Sequence, residues 1–125
     1  MDAWISEPIR IFSGTIPTTL SALSSSVLPV PADTKLIIAE FNITNKTGSE
    51  AVVDIHIVPS GGSADSSNRI YSRRIKSSIS TPGGDLESHR RLVLEPGDNI
   101  YAVSTVPNLT LYVSGAIATR TSVEL

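Results

Sequence analysis

Apolar and polar residues alternate with a period of two through much of this chain, the mark of strands with one buried and one wet face. The strongest run is 35–44. Leu36, Ile37 and Ile38 are continuous, so this end is expected to be buried on both faces, and Ala39, Phe41 and Ile43 then alternate with Glu40, Asn42 and Thr44. The run 51–58 sets Val53, Ile55 and Ile57 on one side and Val52, Asp54, His56 and Val58 on the other, with Pro59 ending it. Between these two runs, Asn45-Lys46-Thr47-Gly48 reads as a hairpin turn with Gly48 available for positive φ. In 109–117, Leu109, Leu111 and Val113 face a core, and Gly115 marks a bulge or a close approach. Shorter strand signals lie at 9–13, 70–75 and 100–104.

The segments between these runs carry turn chemistry. In 92–102, Leu92 and Leu94 lead into Glu95-Pro96-Gly97-Asp98, and Ile100 and Ala102 begin the next strand. Pro96 presets its own φ and Gly97 accepts positive φ, which predicts a type II turn that sets the register of the flanking strands as an antiparallel pair. Val27-Leu28-Pro29-Val30-Pro31 reads as extended chain at an edge or under cover, because each proline restricts its predecessor and lacks a donor. Residues 60–68 are rich in Gly, Ser and Asp and predict a mobile surface loop, and Pro82-Gly83-Gly84-Asp85 is another breaker. Residues 15–26 hold Leu20 and Leu23 at helical spacing but are read as non-helical. In the tail 118–125, Val123 and Leu125 either extend a strand or dock on a neighbour.

About eight short strands with turns every 8–12 residues predict an all-β fold, an antiparallel β-sandwich of jelly-roll-like form. The 125 residues suit a single domain. Within it, 1–26 forms an N-terminal arm or first strand and 27–125 the sandwich proper. For Trp4, the sole tryptophan, two readings stand. It folds back to plug the core, or it packs on a neighbouring subunit together with Ile5 and Phe12.

Composition narrows the function classes. A net charge of −2 gives no general attraction to nucleic acid or anionic membrane. The absence of cysteine excludes disulfides, thiolate chemistry and cysteine metal sites. No apolar run is long enough for a membrane-spanning helix, and the N-terminus lacks the basic and apolar regions of a signal peptide, so synthesis and assembly in a cytoplasm are expected. Sequons at Asn42, Asn45 and Asn108 are read as coincidences in a chain rich in Ser and Thr.

Candidate chemistry is sparse. His56 and Asp54 share a strand face at spacing i, i+2 and are able to chelate, but a solvated face explains them more simply. His89, in Glu-Ser-His-Arg-Arg, reads as a loop or edge residue. No nucleophile elbow and no phosphate loop is present. The expectation is therefore no enzyme, no catalytic residue, no cofactor, no metal. Arg69, Arg73, Arg74 and Lys76 cluster around Tyr71, with Arg90 and Arg91 joining them if the segments pair. Three readings stand for this cluster: a charged edge that resists aggregation, a subunit contact, or a nucleic-acid patch.

The ordered pieces Val-Pro-Ala (30–32), Leu-Ile-Ile-Ala-Glu-Phe-Asn-Ile-Thr-Asn (36–45), Ile-Val-Pro-Ser-Gly-Gly-Ser-Ala (57–64), Asn-Arg-Ile-Tyr (68–71), the 92–102 run and Val-Ser-Gly (113–115) resemble a group of small virion structural proteins of tailed bacteriophages. The resemblance covers about 30–117 and leaves 1–26 unmatched. It implies a β-sandwich head or tail module in the virion, made in the host cytoplasm, with no catalytic residues. The expected form is a capsid decoration (cement) protein, a homo-oligomer such as a trimer on the major capsid protein, without nucleic acid or membrane. Tail, neck or head-fibre components and a carbohydrate-binding adsorption module are the alternatives. Trp4, Ile5, Phe12, Arg69, Arg73 and Arg74 are the expected contacts, and Pro96 and Gly97 the structural turn.

Overall fold

The computed structural model describes residues 2–77, 85–88 and 91–122. Among them are nine strands and no helix: β1 (Asp2–Thr15), β2 (Ser21–Ala22), β3 (Thr34–Thr44), β4 (Ala51–Val58), β5 (Arg69–Ile75), β6 (Asp85–Ser88), β7 (Leu92–Leu94), β8 (Asn99–Ser104) and β9 (Thr110–Ser122). They form two antiparallel sheets. One has the order β1-β9-β3-β6, with β7 also on β3, and the other the order β2-β8-β4-β5. β6 pairs with 41–44 and β7 with 36–38 of the same strand, so the two share one position in the sheet.

Counted by position, the pairing is nested. β1 pairs with β9, β2 with β8, β3 with β6 and β7, and β4 with β5. The first half of the chain thus lies against the second as one long ribbon, with its tip between β4 and β5. Contacts β3–β9 and β4–β8 then roll the ribbon into two facing sheets. That is a jelly roll, the fold expected from the sequence. The segment 1–26 supplies β1, the edge of the five-stranded sheet, and β2, the edge of the other.

The core lies between the sheets. Ile11, Leu36, Ile38, Ile43, Val53, Ile55, Leu94, Ile100, Leu109, Leu111 and Val113 are almost completely enclosed. Each contributes about 1.5–3 kcal/mol by leaving water. Val27, Leu28 and Val30 also belong to this core, so the proline-rich segment is a covered one, with a cis Leu28–Pro29 bond.

Two predicted hairpins are corrected. The 45–48 turn joins β3 to β4, and the 95–98 turn joins β7 to β8, and in each case the two strands belong to different sheets. The first crossing is held by Asn45 rather than by a glycine. Its Nδ2 donates to the carbonyls of Ser49 (2.8 Å) and Ile75 (2.9 Å), and its Oδ1 accepts from the Thr47 N–H (3.1 Å). The Asn45 side chain is fully buried, which leaves its sequon unreadable in the folded chain. The second crossing is the predicted type II turn, with Gly97 at φ 86° and Asp98 N–H donating to the Glu95 carbonyl over 3.0 Å. A type II turn splays its flanking strands, where a hairpin needs the mirror-image forms. Here Val30 runs beside the turn, accepting from Gly97 N–H (2.8 Å) and donating to the Asp98 carbonyl (2.9 Å).

The reading of 36–38 as buried on both faces is also revised. Leu36 and Ile38 are enclosed, and so are Phe41 and Ile43, while Ala39 is exposed. The apolar pattern changes parity because β3 bulges at Ala39, where the register with β9 shifts. β1 bulges at Ile11 against the other side of β9, one residue further along, so Ser114 is flanked by both bulges and Gly115 adjoins the one in β3. A Cβ on Gly115 would sit 1.9 Å from the Ile37 carbonyl oxygen. Close backbone approach is why this position is glycine.

Candidate interaction face

Each sheet turns one face to the core and one outward, and the two outward faces differ. On the four-stranded sheet, Ile57 packs on the core, so its neighbours His56 and Val58 point away from it. They are nevertheless only 5% and 3% exposed. The loop 59–68 folds over this end of the sheet and is tied down by Asn68. The Asn68 Oδ1 accepts from the Asp65 N–H (3.0 Å), and its Nδ2 donates to the Ser63 carbonyl (2.8 Å). That orientation makes the 3.0 Å contact between Oδ1 and His56 Nδ1 a hydrogen bond donated by the imidazole. His56, expected on a solvated face, is instead a buried, partnered residue, and the segment expected to be mobile is laced by side-chain bonds. Within it Asp65 accepts from the Ser67 hydroxyl and N–H, which holds its carboxyl below the usual value of 3.8. Among the described residues no three of His, Asp and Glu converge to hold a metal ion. His89 and Arg90 lie outside the described residues.

The outward face of the five-stranded sheet is open. Its side chains fall into rows that cross the strands. Pro8, Ala116, Ile37 and Val93 form a wholly apolar row over β1, β9, β3 and β7. Beside it on one side run Ser6, Ala118 and Lys35, and on the other Arg10, Ser114 and Glu40. A shallow groove of about 460 Å³ lies along the apolar row, lined among others by Ser6, Pro8, Ile37, Ala39, Arg91 and Ala116. Its floor is low because β9 contributes only small residues, Ser114 to Ala118 apart from the inward Ile117. Val93 is 55% exposed and Tyr112, further along β9, 41%.

The predicted contact residues are dispersed. Trp4 lies at the far end of this face, 46% exposed, with Lys35 Nζ 4.9 Å from its ring centroid. It neither plugs the core nor projects on a free arm, since β1 is paired with β9 from Asp2 to Thr15. Ile5 is half exposed, whereas Phe12 packs against the core. Arg69, Arg73 and Arg74 lie on β5, the edge of the other sheet. Arg74 pairs with Glu50 at 3.3 Å and Arg73 stacks 5.8 Å over Tyr71, so these cations are engaged within the chain. Arg91 lines the groove on the five-stranded sheet, so the basic cluster drawn from the sequence divides between two sheets. The signal that was available, and was missed, is the outward apolar set Pro8, Ile37, Val93 and Ala116 on otherwise wet strand faces.

No protein-family model matches the chain, and no curated protein matches it significantly in sequence. Among solved structures, it is similar to a protein of Bacillus endospore appendages, described as a family of disulfide-linked pili. The identity is 10%, with 98% of this chain and 92% of that chain covered and a TM-score of 0.55. At that identity the likeness is one of fold. The VP2 subviral particle of infectious bursal disease virus also aligns, at 14% identity and a TM-score of 0.29, this chain spanning 30% of that one.

Proposed function

We propose that this chain is a non-enzymatic structural protein of a tailed-bacteriophage virion, a capsid decoration protein that binds the outer capsid surface as a homo-oligomer. The observation that carries the reading is the open apolar face of the five-stranded sheet, on a domain that covers the corresponding end of its other sheet with its own loop. A rigid jelly roll with one face left uncovered suits a protein whose work is to make contacts. The resemblance of 30–117 to phage virion modules supports the virion setting, and the fold shared with a pilus protein is in keeping with a building block. Those pili are disulfide-linked, while this chain has no cysteine, so disulfides have no part in its assembly contacts.

A carbohydrate-binding module is less well supported. Trp4 and Tyr112, the exposed aromatics of the open face, stand at its two ends, about 26 Å apart along β9. A sugar platform needs them adjacent.

The test is cryo-electron microscopy of the intact particle together with rebinding to particles that lack the protein. Density for this fold in regular array on the outer capsid surface, and saturable rebinding, are expected. Its location in the tail or neck would replace decoration with that component. A monomer that binds no particle would overturn the structural reading.

A further inference from the structure

The open face carries a charge pattern that matches itself. Arg10 on β1 and Glu40 on β3 stand in one row on either side of Ser114 of β9. Two strand spacings, about 9.6 Å, separate their backbones, and no ion pair of either is found among the described residues. We infer that this face is an isologous two-fold interface, occupied by a second copy of this chain. The inference rests on the reading of the protein as a self-assembling structural component and names the surface through which it assembles.

The geometry is that of a half-turn about a line running along β9 in the plane of the interface. Such a rotation keeps every cross-strand row at its own level and exchanges its β1 end with its β3 end. Arg10 of each copy then meets Glu40 of the other, twice per interface. In the next row Pro8 meets Ile37 of the second copy, closing the groove with apolar surface from both sides. The residues on the axis meet their own counterparts. There Ser114 and Ala116 are small and half-buried, so the two sheets approach closely along the middle of that line. Tyr112, at one end of the axis, meets Tyr112. At the other end Arg120 meets Arg120, each held near its own Asp33 at 3.9 Å.

From the Trp4 row to the Tyr112 row and across β1, β9 and β3, the three strands that the half-turn lays over one another, the shared face measures roughly 14 by 27 Å, the size of a weak and reversible contact rather than of a permanent one. A foreign partner would have no reason to find opposite charges placed symmetrically about the central strand; a second copy rotated by a half-turn does.

The experiment is a charge swap followed by sedimentation equilibrium of the full chain. Arg10→Glu alone and Glu40→Arg alone each replace two attractive contacts with two repulsive ones, and each should raise the self-association Kd at least about tenfold. The double variant Arg10→Glu with Glu40→Arg reverses both partners and should return the Kd to within a few-fold of the original. Ala116→Arg, at a half-buried position on the axis, should abolish association while the chain stays folded, as its cooperative thermal unfolding shows. Association that persists unchanged in all four variants would overturn this interface while leaving self-assembly intact. Loss of association in the single variants without recovery in the double would also overturn the pairing. A wild-type chain that stays monomeric in solution and on particles would overturn the underlying structural reading instead.

Discussion

The outward faces of the two sheets are built from similar strands and end in opposite states. On the four-stranded sheet, His56 and Val58 are sealed beneath a loop that Asn68 binds from three directions. On the five-stranded sheet, Pro8, Ile37 and Val93 form an apolar row that no described segment of the chain covers. A domain able to cover one face with its own loop has the means to cover another. The difference is one of cover and not of strand composition, and it is what the proposed assembly surface rests on.

The largest expected effect lies under the open face. Gly115→Ala places a methyl group 1.9 Å from the Ile37 carbonyl oxygen, a backbone atom that moves only with the bulge at Ala39. A loss of about 3 kcal/mol or more is expected in denaturant unfolding. A change below 0.5 kcal/mol would mean that the bulges yield freely and that the face is not the rigid surface described.

Gly97→Val follows. The substituted residue would hold φ near 86°, and its Cβ would lie 2.6 Å from that of Ser60, at the start of the covering loop. About 2 kcal/mol should be lost, with hydrogen exchange faster in 59–68 as well as in the turn. Exchange confined to the turn would separate the loop from the crossing.

Asn68→Ala removes the tie of the covered face. It leaves the His56 N–H, the Asp65 N–H and the Ser63 carbonyl to find water, at a cost of about 2 kcal/mol. The ring of His56 should become accessible, seen as faster modification by diethyl pyrocarbonate. A ring no more reactive than in the wild type would show that the strands, not the loop, seal it. A smaller effect attaches to Asp65, whose carboxyl is lowered in the folded state by its bonds from Ser67. Its stabilisation is present in full above the ordinary value of 3.8 and is lost as pH falls through the lower folded value. Asp65→Asn should therefore lower stability slightly across the neutral range and flatten the acid limb of a stability–pH profile, the two profiles converging at low pH. An acid limb identical to wild type would show that the Ser67 bonds do not persist in solution.

The period-two runs and the scarcity of helix formers were enough to read the all-β sandwich from the sequence, because side chains report their own burial. Connections were harder. The turns at 45–48 and 95–98 were correctly located, yet both cross between sheets, since a turn sequence specifies local φ and not which strand the chain pairs with next. The bulge at Ala39 was visible as a parity change between Leu36/Ile38 and Phe41/Ile43, but double burial predicts the same continuous apolar run. Asn45 and Asn68 looked like ordinary turn residues, and only the folded chain brings Ile75 and His56 to them. The open face was the least legible feature, since Pro8, Ile37, Val93 and Ala116 come from four separated strands and become one row only through register.

The finest discrimination between the two faces uses one substitution at two places. Val58 and Val93 both sit outside the core seam, 3% and 55% exposed. Val58→Ser removes buried methyl groups and places a hydroxyl under the loop, which should cost about 2 kcal/mol. Val93→Ser changes little in the isolated chain, within about 0.5 kcal/mol, because its side chain is already in water. If the open face is covered in the assembled particle, the order should reverse there. Val93→Ser would then lower occupancy on the particle, and Val58→Ser, once folded, would bind as the wild type does. Equal occupancy of the Val93→Ser and wild-type proteins would show that the apolar row is not buried on assembly.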